Sequence, residues 1–142
     1  MKKVLFVCVE NSCRSQMAEG FARRLGEGAL EAYSAGSSPS GKVHPVAINV
    51  MGEIGFDISD QKSKGFSELP VKTFDYVITL GCRDACPFFP AKDHVEWQIS
   101  DPKNKDIDFF RKVRDEIRTE VEHFLHDIQG KDEGDGYAET FR

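Results

Sequence analysis

Val4 to Cys8 is an apolar run without polar interruption, which predicts a strand covered on both faces. Val9 to Cys13 then reads as a loop. From Arg14 to Leu25 the pattern turns helical, with Met17, Ala18, Phe21, Ala22 and Leu25 on one face and Gly26 and Gly28 as the stop. Leu30 to Ser34 suits a short strand, closed by Gly36 and a Ser/Pro/Gly loop through Gly41. Pro45 fits the first position of a second helix, with His44 as a candidate cap and Val46, Ala47, Val50, Met51 and Ile54 as the stripe. Ser59 to Gly65 is polar and loop-like, and Gly65 to Leu69 suits a brief helical turn. Phe74 to Leu80 is a third apolar strand. Gly81 to Asp93, with Pro87 and Pro90, reads as a loop, and His94 to Ile99 as a fourth, edge strand. A last helix is expected from Ile107 to Ile128 on a stripe that includes Phe110, Val113, Ile117, Val121 and Leu125.

Strands alternating with helices predict an α/β fold in three layers, a four-stranded parallel sheet of order 2-1-3-4 flanked by helices. One catalytic domain is expected over 1–129, and the Gly-rich, charged stretch 130–142 as a mobile tail. Ligands of such sheets sit beyond the carboxyl ends of the strands. Cys8, Cys82 and Asp101 all fall there, after strands one, three and four. Neighbouring strands lie ~4.8 Å apart, so Cys8 and Cys82 are expected to emerge side by side.

Composition narrows the partners. The net charge of -5, with no basic stripe, excludes a nucleic-acid surface and requires any anionic ligand to find a local positive site. No apolar run approaches the ~20 residues of a membrane span. Val4 to Val9 is also shorter than the ~7–15-residue apolar core of a secretory signal, so the cytoplasm is the expected location. The four cysteines, Cys8, Cys13, Cys82 and Cys86, are then expected as catalytic, metal-binding or buried thiols and not as a disulfide scaffold.

Cys8 to Ser15 has the pattern C-x5-R-S between a buried strand and a helix. In that setting the amides of Val9, Glu10, Asn11, Ser12 and Cys13 and the helix amino end can converge on a tetrahedral anion. Arg14 can grip two of its oxygens with one planar fork. A free cysteine titrates near pH ~8.5, and helix ends, cations and hydrogen bonds bring such thiols to ~3.5–7.5. Ser15 is placed to donate to the thiolate, and Asn11 suits a left-handed backbone position. Glu10 is an acid within an anion loop, so its side chain is expected in solvent. Cys13 is expected to face the core.

The run Asn11-Ser12-Cys13-Arg14-Ser15-Gln16-Met17-Ala18-Glu19-Gly20 closely resembles the thiol-dependent (thioredoxin-coupled) arsenate reductases, which share their fold with the low-molecular-weight protein tyrosine phosphatases. The resemblance continues in Tyr33-Ser34-Ala35-Gly36, Asp57-Ile58-Ser59, Val77-Ile78-Thr79-Leu80, Asp101-Pro102 and Arg111 through Ile117. It implies that Cys8 is the nucleophile, Arg14 the oxyanion-binding arginine, Ser15 the thiolate stabiliser and Asp101 the general acid. It implies an enzyme that turns arsenate into arsenite through a Cys8 arseno-thiol, with phosphate or sulfate able to occupy the same loop. Cys82 and Cys86 would relay the disulfide outward to thioredoxin or another thiol reductant. Their order of attack stays open, because family members coupled to thioredoxin have a longer interval between these cysteines. Val9-Glu10 also replaces the family's usual Thr-Gly. Some members hold potassium near the segment matching Ser59 to Lys64; Lys62 and Lys64 stand where oxygen ligands would be, so no metal is expected and a lysine ammonium takes its place. A monomer without a cofactor is expected. Two other readings use the same loop: a phosphatase acting on phosphotyrosine or small phosphoesters, and a non-catalytic oxyanion-binding module. Lys103-Asn104-Lys105 after Asp101-Pro102, where the phosphatases carry tyrosines, favours the reductase.

Overall fold

The computed structural model describes residues 1–81 and 90–132. Cys82 and Cys86, and residues 133–142 of the tail expected over 130–142, lie outside the described residues, whereas 130–132 are helical. The strands are β1 (Lys2–Cys8), β2 (Leu30–Gly36), β3 (Phe74–Leu80) and β4 (Ala91–Trp97); the helices are α1 (Arg14–Leu25), α2 (Pro45–Glu53) and α3 (Ile107–Asp132). A 3-10 turn covers Phe66–Glu68. The strands pair in parallel in the order β2-β1-β3-β4.

The apolar run of β1 has a direct cause. Val4 and Phe6 face a cluster built with Met17 and Phe21 of α1, Met51 of α2 and Phe110 and Ile117 of α3. Leu5 and Val7 face the other side of the sheet, beside Val77 and Ala35 of the neighbouring strands and packed with Leu69. From Val4 to Cys8 both faces of the strand are therefore dry, and this stretch is free of charged residues, whereas Lys2 and Lys3 before it are partly exposed. Among the described residues, the three helices share one face, and the segment carrying the 3-10 turn covers the other.

Several boundaries differ from expectation; β1 already starts at Lys2, where its pairing with Leu30 begins. β2 continues to Gly36, because its register with β1 runs on to Cys8. β4 begins at Ala91 and ends at Trp97, three residues earlier than expected at its start. Its start is set by pairing with Phe74 of β3 and not by apolar content, since Lys92, Asp93 and His94 are exposed. Ile99 looked like strand because it is buried, yet it sits in the loop after β4. The last helix runs past Ile128 to Asp132. His44 caps α2, its Nδ1 accepting from the Val46 amide at 3.1 Å. Among the described residues no helix is long and apolar enough to cross a membrane.

Candidate active site

The strand order sets β1 between β2 and β3, so the loop after Cys8 leaves the sheet centre at its carboxyl edge. β1 and α1 enclose the five residues Val9 to Cys13, and the loop must reverse direction within them. Asn11 makes this possible with φ 50, a left-handed conformation that Asn tolerates better than most residues. Gly36 makes room on the other side: a Cβ there would stand 2.5 Å from the Val9 carbonyl oxygen, 2.8 Å from that of Cys8 and 2.9 Å from the Asn11 nitrogen.

The Asn11 side chain is tied from several directions. Its Nδ2 donates to Ser15 Oγ at 2.8 Å, and its Oδ1 accepts from Gln16 Nε2 at 2.9 Å and from the Lys64 amide at 2.9 Å. Gln16 Nε2 also donates to the carbonyls of Asn11 and Lys62. Gln61 Nε2 in turn donates to the carbonyl and Oε1 of Gln16, and Ser63 Oγ donates to the Glu10 carbonyl. Ser59 to Gly65, read from sequence as polar loop, is thus the outer wall that holds the anion loop in place. Lys64 Nζ reaches back to the Lys62 carbonyl at 2.9 Å and lies 3.9 Å from Glu19 Oε1. Burial pulls its pKa down, and the Glu19 charge opposes that. Lys64 is therefore the ammonium that enters this wall, whereas Lys62 contributes its carbonyl.

Cys8 is buried, and its Sγ lies 2.8 Å from Ser15 Oγ. Asn11 Nδ2 donates to the same serine oxygen, which leaves the hydroxyl proton available to a Cys8 thiolate. Arg14 starts α1, and Cys13 at the N-cap gives no side-chain cap, so the unpartnered first-turn amides remain for an anion. The guanidinium is held on two sides: Nη1 donates to the Ile99 carbonyl at 3.1 Å, and Nη2 lies 3.6 Å from Asp101 Oδ2. Gly81 gives it space. With φ 74, Gly81 has a backbone that side chains rarely adopt, and a Cβ there would meet Arg14 Nη1 at 2.4 Å.

These groups line one open cavity of about 230 Å³: Cys8 at its base, Val9, Glu10, Ser12 and Cys13 from the loop, Arg14, and then Asp101 and Lys103 from the loop after β4. The Glu10 side chain is partly in solvent, as expected, but it is not alone there. Its carboxylate meets Lys103 Nζ at 2.6 Å across the mouth. Cys13 borders both the cavity and the core, and burial pushes its thiol up to about 12, which keeps it protonated. The arrangement can bind a tetrahedral dianion against one sulfur, with a carboxyl on the far side of the arginine.

Sequence reading did not single out Gln61 or Ser63, and it gave Gly36, Gly81 and Lys103 no role in shaping the site. The importance of the two glycines lies in which atoms approach them. Glu19 did carry one: it is an acid among the buried residues of α1, held by Ser34, Arg23 and Lys64.

The model of the low molecular weight phosphotyrosine protein phosphatase family matches residues 3–133. A glutaredoxin arsenate reductase of Synechocystis sp. is 43% identical over 131 residues, which cover 90% of this chain and 99% of that protein. A solved arsenate reductase in the phosphate binding state has TM-score 0.80 at 42% identity, covering 90% of this chain and 99% of that one. A solved arsenate reductase in the oxidized state has TM-score 0.81 at 41% identity with the same coverage.

Proposed function

The chain belongs to the low molecular weight phosphotyrosine protein phosphatase family, and we propose how its own residues use that fold. It is an arsenate reductase: arsenate enters, arsenite leaves, and a thiol reductant supplies two electrons. The observation that supports our residue assignment is the meeting of Cys8, Ser15, Arg14 and Asp101 at one cavity.

Arsenate lies in the loop with its oxygens on the Val9–Cys13 amides and the Arg14 fork. The Cys8 thiolate, held by the Ser15 hydroxyl, attacks arsenic. An As–O bond breaks, Asp101 delivers the proton, and the oxygen leaves as water. Arsenic is still pentavalent at this point, bound to Cys8 through sulfur. The Cys82 thiolate then attacks the Cys8 sulfur. The S–As electron pair stays on arsenic, which departs as arsenite, and a Cys8–Cys82 disulfide remains. Cys86 attacks Cys82, frees Cys8 and leaves a Cys82–Cys86 disulfide. A redoxin dithiol, of the thioredoxin or glutaredoxin type, returns this to the thiol form. The Cys13 thiol takes no part, because it stays neutral; the residue contributes only its amide. Residues 1–129 carry this whole cycle as one domain.

The test is arsenite release with a dithiol redoxin, run beside hydrolysis of an aryl phosphate. Reductase work predicts several turnovers of arsenite for the wild type, and at most one for Cys82→Ser. Aryl phosphate hydrolysis without arsenite release would turn the assignment toward a phosphatase using Cys8, Arg14 and Asp101.

A further inference from the structure

We propose that Lys103 is a positioning residue that works through Glu10: the ion pair cancels the carboxylate inside the anion loop and latches the Asp101 loop across the mouth of the cavity. The proposal rests on the arsenate assignment above, and it concerns which residues admit the dianion and hold the acid.

Glu10 stands inside a loop whose purpose is to surround a negative charge. Its carboxylate and the Lys103 ammonium meet at 2.6 Å, although 93 positions separate them in the chain. Both line the same cavity as Cys8 and Asp101. The loops are therefore bridged at the rim, directly beside the route by which an anion enters. Lys103 has a second tie to the acid, since its backbone amide donates to Asp101 Oδ1 at 3.0 Å. One residue thus holds Asp101 through its main chain and the anion loop through its side chain. The hydrogen bond to Glu10, and then its charge, also raises the Lys103 pKa.

The magnitudes separate this role from a merely structural one. The side chains are 45% and 38% exposed, and such pairs contribute little to global stability. The melting temperature should hardly move when either partner is lost. A bound dianion, however, feels an unpaired carboxylate at close range. Removing Lys103 alone leaves that like charge at the mouth, removing Glu10 alone leaves a cation, and removing both restores neutrality but cuts the latch.

The test uses the full chain and inorganic phosphate as the probe, titrated by calorimetry at low ionic strength. Lys103→Met should weaken phosphate binding about tenfold, the weight of one poorly screened like charge, and this deficit should shrink as salt is added. Glu10→Gln should tighten binding, and Glu10→Gln with Lys103→Met should return to the wild-type affinity. Lys103→Arg should restore the single-variant loss. In single-turnover arsenate reduction at saturating substrate, the double variant should be slower by about fivefold, the population ratio a well-formed exposed pair can maintain.

Wild-type phosphate affinity in Lys103→Met, or a double variant as weak as Lys103→Met, would overturn the charge-cancelling role. A double variant with the full single-turnover rate would overturn the latch. If the wild type binds phosphate but releases no arsenite, the arsenate assignment fails while the affinity series still decides the charge-cancelling role of Lys103.

Discussion

Replacing Gly36 by Ala adds one methyl group at the point where β2 ends beside the anion loop. The new carbon would lie 2.5, 2.8 and 2.9 Å from three backbone atoms, the Val9 and Cys8 oxygens and the Asn11 nitrogen. None of them belongs to a flexible side chain, so the loop itself must move. Ordinary contacts begin near ~3.5 Å, which asks the Val9 carbonyl to retreat by roughly 1 Å. Overpacking of this kind costs about 1–3 kcal/mol of stability. The chemical cost is larger, because a misplacement of ~1 Å in a reacting constellation lowers rates about a hundredfold. The assay is single-turnover arsenite release at saturating arsenate, at a temperature well below the variant's melting point. Gly52→Ala is the control: it lies in α2 with nothing within 4 Å of the added carbon. That change should keep the wild-type rate and raise stability by about 0.5–1 kcal/mol. A Gly36→Ala protein that melts like the wild type and releases arsenite at its rate would refute the idea that β2 fixes the loop.

Ser15→Ala removes the 2.8 Å partner of Cys8 and leaves Asn11 Nδ2 without its acceptor. A hydrogen bond to a charged group contributes about 1.5–3 kcal/mol, so single-turnover arsenite release at neutral pH should fall about ten- to a hundredfold. Asp101→Asn keeps the shape of the rim but removes the proton donor. Phosphate affinity should survive, while single-turnover arsenite release should drop by about a hundredfold, the lower range for a general acid. Cys13 should resist iodoacetamide at pH 7.5 while Cys8 reacts, as peptide mapping will show. Its thiol is raised from an ordinary 9.0 to about 12 by burial, so the fold prefers it protonated. That preference is complete below pH 9.0 and is lost as pH climbs toward about 12. Cys13→Ala should therefore flatten the loss of stability in an alkaline unfolding series over that window.

How far the sequence could be read depended on whether position or pairing decides an element. β1, α1 and β3 followed from local pattern, because each carries an apolar run or stripe into the core, even though α1 also buries Gln16 and Glu19. β4 did not, since an edge strand with Lys92, Asp93 and His94 in water has almost no apolar signature, and only its pairing with Phe74 to Leu80 locates its start. At the site, C-x5-R-S drew attention to Cys8, Arg14 and Ser15 because their relation is local. Glu10 with Lys103, and Lys64 with Glu19, join charges from distant segments, and no local pattern names the partner of either. Gly81 and Gly36 matter through the atoms that approach them, which only the packed chain defines.

The most direct test is a thiol map by mass spectrometry after one arsenate turnover without external reductant. We expect one arsenite released per chain and Cys8 bridged to Cys82 in a Cys86→Ser variant, with Cys13 recovered as a thiol after unfolding. Arsenite released by Cys8→Ser, or a wild type that releases it while Cys8 remains unbridged and Cys82 and Cys86 remain thiols, would contradict the assignment of Cys8 as the attacking sulfur.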